Sequence, residues 1–131
     1  MRQPTDLEAA FDHWRRRVAG EALAITTEPM CGYYRRRMVR GGVWVPAAIW
    51  IEQEIDADTG ELLSDEILRC AVGGREEDPD EQWTYIAGQP IPYAEYEYLM
   101  ANLKWSEAYA PESPFAQPRQ KVDLGSMKPI F

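Results

Sequence analysis

Histidine occurs once in this chain, at His13, and cysteine only twice, at Cys31 and Cys70. With no CxxC spacing, a zinc site would need an improbable set of carboxylates, so neither a metal nor another cofactor is expected. The two thiols are expected to be free, as in a cytosolic protein, rather than bridged. No apolar run approaches the roughly 20 residues of a membrane helix. The polar start Met1-Arg2-Gln3-Pro4-Thr5-Asp6 offers no apolar h-region of a signal peptide. The expectation is therefore a protein of the bacterial cytoplasm without membrane contact. Glycine forms no P-loop or dinucleotide pattern, and Gly73-Gly74 stands alone. Ser64, Ser106, Ser113 and Ser126 lie in no nucleophile elbow. Carboxylates are abundant, yet nothing singles out a pair for acid–base chemistry. These gaps point to a binding protein rather than an enzyme.

What is present suits one domain over residues 1–131. With 45% hydrophobic residues and five tryptophans, such a chain can remove roughly two-thirds of its unfolded surface from water without a staple. Its net charge of −8 is unevenly spread. Residues 1–50 hold eight arginines against five acids, a balance of +3, whereas residues 51–131 hold six cations against 17 acids, a balance of −11. A polarised chain can present faces of opposite sign to different partners, although such charges also simply solvate loops.

The periodicities predict an α+β fold. Thr5-Asp6-Leu7-Glu8 fits a capping box. Leu7, Ala10, Phe11, Trp14 and Val18 then follow a helical period until Gly20, predicting a first helix of about four turns. Between Tyr33 and Ile55, two β-rich runs flank Gly41-Gly42, which predicts a hairpin with a two-residue turn. In its second strand Val43, Val45, Ala47, Ile49, Ile51 and Ile55 share the core face, and Trp44, Pro46, Ala48, Trp50, Glu52 and Glu54 share the other. Pro46 cannot donate to a ladder, which suggests an edge or a bulge. A turn over Asp56-Ala57-Asp58-Thr59-Gly60 precedes a short strand from Glu66 to Val72. Residues 73–81 read as an acidic loop and Trp83-Thr84-Tyr85-Ile86 as a last strand. Pro90 and Pro92 introduce a second helix over about Tyr93 to Tyr109, apolar on two stripes, Tyr96-Leu99-Met100-Leu103 and Tyr98-Ala101-Trp105-Tyr109. A helix apolar this far round is either sandwiched or offers a contact surface. Beyond it, residues 110–131 read as an irregular Pro-rich tail, with Phe115, Leu124, Ile130 and Phe131 available to pin it.

Two constellations qualify as binding surfaces. Residues 52–66 hold seven acids and residues 76–81 five. From these runs Asp56, Asp58, Glu61, Asp65, Glu66, Glu76, Glu77, Asp78, Asp80 and Glu81 form a candidate acidic surface for a basic, nucleic-acid-binding partner. The run is no EF-hand, because its glycine comes one place early and Ile67 takes the twelfth position. Alternatively, a two-residue turn would place Arg37 opposite Pro46 and Arg35 opposite Ala48. Tyr33, Arg35, Arg37, Trp44 and Trp50 would then share a face, with charge for phosphates and rings for bases. The plainer reading is that these arginines cover the tryptophans as packing. Arg36 falls on the core face in this register and has no evident partner.

Over most of its length the chain also resembles a group of small phage and prophage proteins of alphaproteobacteria. The likeness is carried by Cys31-Gly32-Tyr33-Tyr34-Arg35, by Val39-Arg40-Gly41-Gly42-Val43-Trp44-Val45-Pro46-Ala47, by Asp78-Pro79 and Trp83, by Gly88-Gln89-Pro90-Ile91 and by Glu95-Tyr96-Glu97-Tyr98. Pro118-Arg119, Asp123-Leu124 and Pro129-Ile130-Phe131 extend it. Pro92 departs from the pattern, standing where a capping Ser or Thr belongs. The group brings no assigned chemistry, so no residue role carries over. It implies a setting, an accessory protein that blocks host defence or assists phage DNA metabolism. The leading expectation is an inhibitor, anti-CRISPR-like in kind, that binds a host protein or ribonucleoprotein complex through the acidic surface. The alternative is a single-stranded nucleic-acid-binding auxiliary of recombination or replication using the Arg-aromatic face. The oligomeric state stays open at this point.

Overall fold

The structure, a computed structural model, describes residues 3–109 and Pro111. It contains α1 (Leu7–Ala10), α2 (Asp12–Val18), β1 (Gly32–Arg37), β2 (Trp44–Glu52), β3 (Ile67–Val72), β4 (Arg75–Glu77), α3 (Pro79–Ile86) and α4 (Tyr93–Tyr109). The strands form one antiparallel sheet in the order β1-β2-β3-β4. The fold is α+β, with helices at both ends of the sheet sequence. Apart from Pro111, the expected tail over 110–131 lies outside the described residues.

Period-2 alternation in β2 sorts the sheet faces. Tyr34, Val45, Ala47, Ile49, Cys70 and Val72 are buried on one side, where Trp14 of α2 and Trp83 and Ile86 of α3 complete the core. On the other side Tyr33 and Arg35 meet Tyr96 and Glu95 of α4. That helix packs on β1 and β2, so Pro46 and Ala48 are buried as well. Ile55, expected in the core, is 45% exposed because it lies past the end of β2.

The hairpin turn differs from expectation. Arg37 pairs with Trp44, Arg35 with Pro46 and Tyr33 with Ala48, two residues tighter than a Gly41-Gly42 turn would set. A two-residue type I′ turn needs positive φ at both central positions, but only Gly41 has it, at +77°. Instead Gly42 N donates to Val39 O at 3.0 Å, with the positive φ at the third residue as a type II turn requires. A shift of two leaves every side chain on its expected face. The two-residue glycine turn exists elsewhere: Gly73 and Gly74 have φ of +62° and +80°, and Val72 pairs with Arg75.

That turn explains a second correction. The expected acidic loop over 73–81 is instead β4 and the start of α3, and the expected strand at Trp83–Ile86 is helical. Asp78 caps the helix by accepting from Asp80 N at 3.2 Å, and Pro79 occupies the first turn, where its missing N–H costs nothing. The first helix is likewise two short segments joined at Phe11. Its cap is Asp6, which accepts from Glu8 N at 3.0 Å; Thr5 donates its hydroxyl to Glu66 at 2.7 Å instead, so no capping box forms. Pro46 sits in a central strand rather than at an edge or bulge. Its carbonyl accepts from Gly73 N at 2.8 Å, and the β2–β3 pairing stops at Ala47 and Val72, so the lost donor falls where the ladder ends.

Candidate functional site

The residues of the Arg-aromatic constellation make contacts within the chain. Arg35 and Arg37 both lie over Trp44, with guanidinium carbons 4.1 and 4.3 Å from its ring centre. Arg35 also pairs with Glu95 at 3.4 Å and reaches Gln89 at 3.3 Å. Tyr33 is packed among Phe11, Trp14, Tyr93 and Tyr96. Trp50 shares the face with Trp44, but at about 3.3 Å per residue the two are some 20 Å apart along β2, with buried Pro46 and Ala48 between them. Arg35 is thus engaged within the chain, whereas Arg37 stays exposed beside the Trp44 ring. Arg36, the residue without an evident partner, donates to Gln82 Oε1 and lies 3.8 Å from the Tyr85 ring centre, both on α3.

The candidate acids are divided by the sheet. Asp78, Asp80 and Glu81 cap and open α3, where a carboxylate complements the helix N-terminus. Asp56 accepts from Asp58 N at 2.8 Å and holds the turn that carries Asp58 and Glu61. Glu66 accepts from Thr5 and from Gln53, tying the N-terminal segment to the sheet. Glu77, opposite Cys70, is on the core side.

Only part of the acidic set converges on an open surface. The half of the outer face that α4 leaves uncovered has a floor of Trp50 and Ala71 and forms two adjoining recesses. One is lined by Trp50, Glu52, Arg69, Ala71, Gly74 and Glu76, and the other by Glu52, Glu54, Ser64, Asp65, Ile67 and Arg69. Strand register dictates this. Trp50 faces Arg69, Glu52 faces Ile67 and Ala71 faces Glu76, so all six point to one side. Arg69 is clamped between two carboxylates, donating from Nε to Glu52 at 2.6 Å and from its terminal nitrogen to Glu76. Glu52 first, and then Glu76, raise its pKa further. Two carboxylates thus hold one guanidinium, with Glu54 and Asp65 lining the adjoining recess, beside an indole that is 38% exposed and an isoleucine that is 48% exposed.

Asp65 and Glu76 belong to the expected acidic surface. Glu52, Glu54, Ser64, Ile67, Arg69 and Ala71 were missed, although two signals existed. Glu52 and Glu54 share Trp50's face by alternation, and Arg69 is the single cation between Arg40 and Arg75.

The thiols are shielded by position. Cys31 and Cys70 are free and buried, and burial pushes both pKa values up to about 11, helped at Cys70 by Glu77 and Asp78. Among the described residues no group of three or more His, Cys, Asp or Glu is placed to hold a metal ion, and no helix is long and apolar enough to cross a membrane. Comparison of the chain with protein-family models, with curated proteins and with solved structures finds no match in any of the three.

Proposed function

We propose that this is a non-catalytic binding protein whose acidic-aromatic recess takes a cationic side chain of a protein partner. The observation that carries the reading is the Glu52–Arg69–Glu76 clamp beside exposed Trp50. It is already built to hold a guanidinium between two carboxylates at the edge of an indole. Charge-assisted bonds to paired carboxylates and a cation over an aromatic ring are the two strongest polar ways to recognise arginine. Glu54 and Asp65 extend the same negative potential and would speed the encounter with a basic surface.

Proteins that hold nucleic acid present such surfaces. In the phage setting that the sequence resemblance implies, the partner is a host nucleic-acid-binding defence complex of the CRISPR type in the cytoplasm of an infected bacterium. The alternative, direct binding of single strands, has less support, because Arg35, Arg37 and Tyr33 are committed to intramolecular contacts.

Capture from a host lysate, with and without nuclease treatment, tests the reading. A basic protein should be retained in both arms and released by competing DNA. Glu52→Gln combined with Glu76→Gln should abolish retention. Retention lost on nuclease treatment, or undiminished in that variant, would count against it.

A further inference from the structure

Helix α4 buries Leu103 and Ser106 against the sheet, with Tyr96, Leu99 and Met100 half-buried beside them. The opposite side is not polar. Ala94, Tyr98, Ala101, Trp105 and Ala108 are all exposed, Tyr98 to 65% and Trp105 to 59%. Their spacing of four, three, four and three residues is a heptad seam, the spacing by which one helix packs along another. Along the seam, small and large residues alternate.

We infer that this seam is a self-association surface, on which a second copy of this chain lays its own α4 antiparallel. Three features of the seam fix the occupant. In an antiparallel pair Tyr98 of one copy lies on Ala101 of the other, and Trp105 lies on Ala94. By symmetry both contacts occur twice, giving four layers that each match an aromatic ring to an alanine, as close packing demands. The seam's flank carries Glu97 and Lys104, both exposed and one heptad apart. Antiparallel pairing sets Glu97 against the partner's Lys104 and Lys104 against the partner's Glu97. Parallel pairing would instead set these flank residues against Asn102 and Tyr109, with no charge match. The contact is isologous and therefore closes at two copies. It lies on α4, outside the residues that line the acidic recess, so both recesses stay open in the dimer.

Sedimentation equilibrium of the full chain over a concentration series tests this. A reversible monomer–dimer equilibrium is expected. Ala101→Glu places two like charges at the centre of the seam and should leave only monomer, with an unchanged circular dichroism spectrum and, at concentrations too low for the dimer, the parent's melting point, since the position is exposed. Glu97→Lys and Lys104→Glu should each weaken the dimer by about tenfold, from two lost surface pairs, and the combined charge exchange should restore it. A monomer at every concentration would overturn the inference, as would a dimer indifferent to Ala101→Glu. Single charge variants not rescued by the double exchange would refute the antiparallel arrangement.

Discussion

Trp14 lies directly on the backbone of Gly32: a Cβ placed on that glycine would stand 2.5 Å from Trp14 Cγ. The indole Nε1 donates to Tyr33 O at 2.9 Å and Ile91 O at 3.0 Å, joining α2, β1 and the segment that bonds to the outer edge of β1. Gly32→Ala must push the ring away and break this junction. It should cost about 3 kcal/mol, the upper range for overpacking a core, read as a fall in the urea midpoint at unchanged slope. A stability equal to the parent's would show that the ring is not held there.

Gln82 is 4% exposed and accepts from a terminal nitrogen of Arg36, whose buried Nε has no hydrogen-bond partner among the described residues. Gln82→Leu should destabilise by about 2 kcal/mol, the cost of a buried donor left unsatisfied. Replacing Arg36 by Met in the same chain should recover most of that loss. A double-mutant cycle with no coupling would remove the pair from the list of contacts that hold the hairpin to α3.

Gly73 and Gly41 both have positive φ, but an added Cβ at Gly73 meets Val45 Cγ1 at 3.0 Å, whereas at Gly41 it meets nothing within 4 Å among the described residues. Gly41→Ala should cost about 1 kcal/mol for backbone strain alone, and Gly73→Ala about 2–3 kcal/mol because the β3–β4 turn must also move. Thermal melts of the two variants rank them directly.

Alkaline pH should loosen the fold. Burial holds the pKa of Cys31 and Cys70 near 11, above their ordinary value of 9.0, and burial raises Tyr34 in the same direction. The native state therefore keeps protons that the unfolded chain has lost, and stability falls as pH rises from about 9 through 11. Below pH 9 this contribution is fully present. Urea midpoints measured from pH 7 to pH 11 should be flat at first and then decline, and a thiol reagent at pH 8 should label neither cysteine without denaturant.

Arg69 competes with any incoming guanidinium for Glu52 and Glu76. Arg69→Ala should therefore tighten binding to a basic partner severalfold and strengthen its salt dependence, whereas Trp50→Ala should weaken binding at every salt concentration. Calorimetric titration against an arginine-rich peptide separates the two. Weaker binding in Arg69→Ala would make that side chain a contact rather than a competitor.

Local chemistry determined much of this protein by itself. Alternation from Val45 to Trp50 assigned both sheet faces, because side chains on a strand alternate whatever packs above them. The run from Tyr93 to Tyr109 declared α4 and its two apolar stripes. Tertiary structure decided the rest. Trp83–Ile86 has strand-like composition, yet the Asp78-Pro79 cap and the α3 position over Tyr34 made it a helix, since burial against the sheet outweighs intrinsic preference. Which stripe of α4 faces the sheet could not be read from the sequence, as both are apolar. The acidic residues were visible as a run of charge. Only the pairing of β2 with β3 and β4, contacts between residues distant in the chain, put Glu52, Arg69 and Glu76 around one point beside Trp50.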